Sequence, residues 1–208
     1  MSDYDESEFR RSLVASPYGG AMKLLNRANQ PAAWSALPDL FECMQSLSPA
    51  NTKSDDHLRS IERMGVKAST AILRNVGLEL SNSLHSSIWD WIVEITESNN
   101  APLAAEAIYS LEKLGIPPIC VQDQLLKLMK MPPRSHPDYI GTCRAVAFRV
   151  LMRLNEKEAL HYVGHPAFVD LREMITSIHD EWVNSGRPTD CLRMDELENE
   201  LRWLHNAE

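Results

Sequence analysis

FVDLREMITSIHDEW, residues 168 to 182, decides the fold class. Its apolar residues Phe168, Leu171, Ile175, Ile178 and Trp182 recur at intervals of 3, 4, 3 and 4 residues. That spacing lays one stripe along an α-helix, whereas a strand would alternate strictly. The next segment repeats the device with Met194, Leu197, Leu201 and Leu204, while Asp195, Glu196, Glu198 and Glu200 fill the other faces and suit the positive N-terminal end of a helix. Two such helices are expected to pack stripe to stripe. Further upstream, IWDWIVEI (residues 88 to 95) fits a helix through Ile88, Trp91, Ile92 and Ile95 but also alternates through Trp89, Trp91, Val93 and Ile95. With no convincing partner strand elsewhere it is read as helix, and the expected class is all-α.

Composition agrees with that reading. Only 8 of the 208 residues are glycine, and Leu, Ala, Glu and Met are plentiful, a mixture that favours helix. A chain of this length can bury roughly 70% of its unfolded surface without metals or disulfides. Prolines and glycines at Pro17, Gly19, Gly20, Pro31, Pro38 and Pro49 cut the first 50 residues into short helices, expected around Glu6 to Ala15, Ala21 to Asn29 and Ala33 to Leu47. Residues 1 to 50 therefore read as an irregular arm or cap. The polar stretch SPANTKSDD, Ser48 to Asp56, reads as a linker, and residues 57 to 208 read as the main domain, unless the whole is one domain. Beyond it, short Gly, Pro, Ser and Asn clusters at Met64-Gly65, Ser98 to Pro102, Gly115 to Pro118, Met131 to Pro137 and Ser185 to Pro188 separate the helices, as between antiparallel neighbours.

One self-similarity goes further than composition. AEAIYSLEKLG (105 to 115) recurs forty positions later as AVAFRVLMRLN (145 to 155), matching Ala105, Ala107, Leu111 and Leu114 to Ala145, Ala147, Leu151 and Leu154. Each copy follows an apolar helix, which gives expected hairpins of 85 to 98 with 102 to 114 and 119 to 130 with 138 to 155. Such helix pairs, with small residues early and leucines late in the second helix, resemble HEAT or armadillo-type α-solenoid units over residues 57 to 160. The resemblance implies a short solenoid that binds a protein or nucleic acid on its concave face and carries no catalytic residue; an irregular multi-helix bundle is the alternative. The helix ending at Leu154 has apolar residues on two sides, with Ile140, Cys143, Ala147 and Leu151 on one and Val146, Phe148, Val150 and Met152 on the other. It is expected to be the most buried.

Chemistry-bearing patterns are few. Cys43, Cys120, Cys143 and Cys191 form no C-x-x-C pair and read as reduced thiols. Seven histidines are scattered, and His161 and His165 are separated by the helix breaker Gly164, so they read as loop or cap residues and no metal is expected. Gly19-Gly20 lacks the strand and Gly-Lys-Ser context of a phosphate cradle and reads as a turn. Asp90 and Glu94, one helical turn apart, read as a solvated face. No cofactor is expected. Residues 1 to 20 lack a secretory h-region, and no apolar run approaches the roughly 20 residues of a membrane span; the expected location is the cytoplasm, with no membrane partner.

Charge points to a partner. The net charge of −8 disfavours coating nucleic acid, but residues 116 to 160 carry seven Lys and Arg against four Asp and Glu. Lys127, Lys130, Arg134, Arg149 and Arg153 belong to this basic run, and the proline-braced connector Met131 to Pro137 is expected to present Arg134 and His136. Trp89 and Trp91 point about 200° apart on a helix, so one is expected at a surface as an interface anchor. The expected partner-binding set is Trp89, Lys127, Lys130, Arg134, His136, Arg149 and Arg153. The expected function is a non-enzymatic protein-binding module, of the inhibitor or immunity type. An enzyme or small-ligand receptor with a site between helices, and a nucleic-acid reader using the basic patch, are the alternatives; self-association is left open.

Overall fold

The computed structural model describes residues 6–47, 56–76, 82–114, 121–134, 141–189 and 191–207, and among these residues the fold is all-α, with twelve helices and no strand. The chain divides into two compact units, residues 1–115 and 116–208. The division therefore falls at Gly115, and the polar stretch 48–56 is not the boundary. The helices before that stretch pack on the helix that follows it, so what reads as an arm is part of a core.

Unit 1 contains α1 (Glu6–Ala15), α2 (Pro17–Leu25), α3 (Pro31–Ser35), α4 (Leu37–Leu47), α5 (Asp56–Val76), α6 (Asn82–Ile95) and α7 (Ala101–Lys113). Pro17 and Pro31 start helices here, because the first turn has no intrahelical N–H bond for proline to forfeit. Ser16 caps α2 by accepting a hydrogen bond from the Gly19 amide at 3.2 Å. The pair Gly19-Gly20 thus lies inside a helix and is no turn. A Cβ at Gly20 would stand 2.7 Å from the Leu13 backbone, so glycine is what lets α2 lie against α1. Gly65 has the same meaning: α5 runs through it unbroken, and a Cβ there would meet Met44 Sδ of α4 at 2.2 Å.

α5 is the long element on which α2, α4 and α7 pack, and α6 pairs with α7. α7 is buried over ten consecutive residues, Leu103 to Glu112, including the carboxylates Glu106 and Glu112. Both tryptophans of α6 are buried, Trp89 to 3% and Trp91 to 5% exposure. Opposite directions on one helix can both lead into core when the helix is covered on more than one side: Trp91 meets Phe41 of α4 edge-on at 5.8 Å, while α7 covers α6 elsewhere.

Unit 2 contains α8 (Gln122–Lys130), α9 (Cys143–Leu154), α10 (Glu156–Leu160), α11 (Pro166–Asn184) and α12 (Leu192–Asn206). α9 is its hub, packed by α8, α10 and α11 and buried at Cys143 and from Ala145 to Leu151. Phe148 of α9 and Phe168 of α11 meet edge-on at 5.7 Å. The stripe of α11 is buried at Phe168, Leu171 and Ile175 and only half-buried at Ile178 and Trp182, and α12 docks on α11, burying Met194, Leu197 and Leu204. The expected hairpins α6–α7 and α8–α9 form. Their second helices share the alanine and leucine pattern because each is buried along most of its length, where small residues permit close approach. No helix among the described residues is long and apolar enough to cross a membrane.

Candidate functional sites in the two units

The basic residues of unit 2 do not form one face. Arg149 is 2% exposed; its Nε donates to Glu200 Oε1 of α12 at 2.8 Å and its Nη2 donates to Glu200 Oε2. Arg153 reaches the same carboxylate at 3.6 Å. The expectation that Arg149 meets a partner is corrected: the guanidinium is an internal tie between α9 and α12. Trp89 is likewise core rather than anchor, with its indole N–H directed to His85 Nε2 at 3.2 Å. His136 lies outside the described residues.

What is left gathers at the end of unit 2 where α9 and α11 begin. α8 buries Leu125, Leu128 and Met129 and turns Lys127 and Lys130 outward. The connector is pinned by the Arg134 carbonyl, which accepts from the Cys143 amide at 2.8 Å, so Arg134 stands beside the start of α9. There Thr142 caps α9 through the Ala145 amide at 3.2 Å, and Asp170 of α11 accepts from Thr142 Oγ1 at 2.6 Å and from both Nε and Nη2 of Arg144 at 3.1 and 2.9 Å. His165 caps α11, its Nδ1 accepting from the Ala167 amide at 3.1 Å.

His165 responds to burial first and to the charges around it second. Its pKa is lowered by burial first and then by the positive charges of Arg144 and Lys130, with Asp170 acting the other way. The capping role has the same direction, because a protonated Nδ1 cannot accept the Ala167 amide. A histidine held neutral by the fold takes up its proton more readily once unfolded. Its contribution to stability is therefore complete above the unfolded value of about 6.5 and is lost as the pH falls through that value toward the folded one. The ring resonances of His165 are expected to titrate below the ordinary histidine range in a proton NMR series. Lys130→Gln should raise the midpoint and Asp170→Asn should lower it; movement in the opposite senses would show that these charges do not face the ring.

A second site lies in unit 1, where α2, α5 and α7 border a half-open cavity of about 270 Å³ lined by Leu25, Lys67, Thr70, Ala71, Arg74, Glu106, Ser110 and Lys113. Lys67, Thr70, Ala71 and Arg74 follow the 3- and 4-residue steps of one face of α5, and Glu106, Ser110 and Lys113 do the same on α7. Glu106, 1% exposed, is held from α5 by Arg63 and Lys67, each at 3.3 Å. Thr70 is 3% exposed and its Oγ1 has no hydrogen-bond partner among the described residues.

No family model, curated protein or solved structure matches this chain.

Sequence reasoning missed the unit 1 cavity for a definite reason. Residues 65 to 115 hold three Lys and Arg against six Asp and Glu, so the segment reads as acidic. Those three cations are Lys67, Arg74 and Lys113, and all of them line the cavity. The available signal was the matched helical spacing of 67, 70 and 74 with 106, 110 and 113. Among the described residues no group of three His, Cys, Asp or Glu is placed to hold a metal ion, and Cys43, Cys143 and Cys191 form no disulfide. Burial pushes the Cys43 thiol pKa up, which makes it a poorer nucleophile.

Proposed function

We propose that this chain is a non-enzymatic binding protein of the cytoplasm, and that the basic end of unit 2 takes up an acidic segment of a partner protein. The observation supporting this reading is the pair Lys127 and Lys130, both turned outward in the last turn of α8, in a chain whose net charge is −8. The positive ends of two helices, α9 and α11, add to the same field. Lys127 and Lys130 project from one exposed face, as a surface that steers and holds carboxylates requires. An inhibitor or immunity-type role is the narrower form, since capping an acidic partner's surface calls for complementary charge and no chemistry. The HEAT-like or armadillo-like reading belongs to the same proposal, as a helical scaffold for that surface.

The experiment is capture of the tagged chain from its own cell, followed by zero-length carbodiimide coupling, which joins a lysine amine directly to a carboxylate in contact with it. A stoichiometric protein coupled through Lys127 or Lys130 to Asp or Glu, and lost with Lys127→Glu/Lys130→Glu, is the expected result. Recovery of nucleic acid whose binding collapses between low and moderate salt would replace the acidic segment by a phosphate backbone. A stoichiometric protein retained by the double variant would place the interface elsewhere and overturn the assignment.

A further inference from the structure

The unit 1 cavity is independent of the basic end of unit 2, and its chemistry is different. Its floor is polar and buried: the Glu106 carboxylate, Ser110, and Thr70 with its unpartnered hydroxyl. Its rim carries Arg74 and Lys113, both exposed, and neither has a salt-bridge partner among the described residues. Leu25 of α2 and Ala71 of α5 supply apolar wall.

We propose that this cavity binds a small hydroxylated phosphate ester, of the size and chemistry of a sugar phosphate. The charges fit a dianion. Of the four charged residues that line the cavity, Lys67 balances Glu106, which leaves Arg74 and Lys113, two positive charges, for the ligand. A guanidinium and an ammonium at one rim are the pair best suited to a phosphate, the first by its forked N–H geometry and the second as a compact charge. The floor fits hydroxyls. A carboxylate accepts from them, and the Ser110 and Thr70 hydroxyls can each donate and accept. The apolar walls suit the C–H faces of a sugar ring, and about 270 Å³ is near the small end of ligand pockets, enough for one sugar phosphate.

The test is calorimetric titration of the full chain with ribose 5-phosphate, ribose and inorganic phosphate, each in turn. Ribose 5-phosphate is expected to bind more tightly than either part alone. Arg74→Ala/Lys113→Ala should weaken it by at least about tenfold, as the loss of charge-assisted hydrogen bonds implies, with the helical signal in circular dichroism unchanged because both side chains are exposed. Thr70→Val, which keeps shape and removes the hydroxyl, should weaken binding without altering the response to inorganic phosphate. Should Thr70→Val fail to fold, the rim variant still decides. Absence of binding at roughly 10 mM ribose 5-phosphate, where even a millimolar site is filled, overturns the proposal. So does an affinity no better than that of inorganic phosphate, or one that the rim variant leaves intact.

Discussion

Arg149→Ala is expected to cost unit 2 about 3 to 5 kcal/mol, the usual consequence of removing one partner from a buried ion pair and stranding the other. The guanidinium is 2% exposed and the Glu200 side chain 16%, so little water reaches either group to compensate. Arg149→Glu should be worse, since it sets two carboxylates against each other inside the fold. Arg153→Ala touches the same carboxylate from a half-exposed position at 3.6 Å and should cost less than about 1 kcal/mol. The double replacement Arg149→Met/Glu200→Met removes both charges at once and should recover most of the loss. Urea denaturation gives the magnitudes, and hydrogen exchange should confine the loss of protection to residues 121–207. Equal losses for Arg149→Ala and Arg153→Ala would mean that Arg149 is hydrated in solution.

Gly20→Ala should destabilise unit 1 by about 3 kcal/mol, at the upper end for overpacking, while the adjacent Gly19→Ala should stay within about 1 kcal/mol of the parent. The two substitutions are the same in chemistry and in helix propensity. They differ in what the new methyl meets. At Gly20 it meets the Leu13 Cα and N at 2.7 Å, backbone atoms that can yield only if α1 moves; at Gly19 it meets the tip of Ser16 at 3.1 Å. Gly65→Ala falls between them, because its obstacle is the flexible Met44 thioether. Thermal unfolding of the three variants checks the order, and a Gly20→Ala midpoint equal to that of Gly19→Ala would show that α1 and α2 are not in close contact.

Helix was legible in the sequence because it is a local property. The steps of 3 and 4 at Phe168 to Trp182 and the helix over IWDWIVEI need no knowledge of the rest of the chain, and the structure has both. What the sequence did not yield is long-range. Arg149 and Arg153 are one turn apart on a helix and look alike from the chain; only Glu200, 51 residues on from Arg149, distinguishes the buried one from the half-exposed one. Trp89 and Trp91 point apart in any helix, and the number of covers laid on α6 decides that both are core. The polar run at 48–56 looked like a boundary because composition marks solvent and not contact, and α2 and α4 pack on α5 across it. The candidate sites divided in the same way. Lys127 and Lys130 are exposed on α8, where binding a partner is a proposal, whereas the cavity of unit 1 was hidden by a charge sum taken over the wrong distance.

The tie between Arg149 and Glu200 also sets an order of events at birth. A ribosome adding 5 to 20 residues per second needs roughly 3 to 10 s to travel the 51 positions between the two partners. Throughout that interval the nascent hub helix carries a cation whose carboxylate has not yet been made, and burying it then would leave the charge unpaired. Residues 6–114 face no such delay, since every residue of their core precedes residue 115. Unit 1 can thus close before unit 2, whose Arg149 gains its buried partner only once Glu200 has been made.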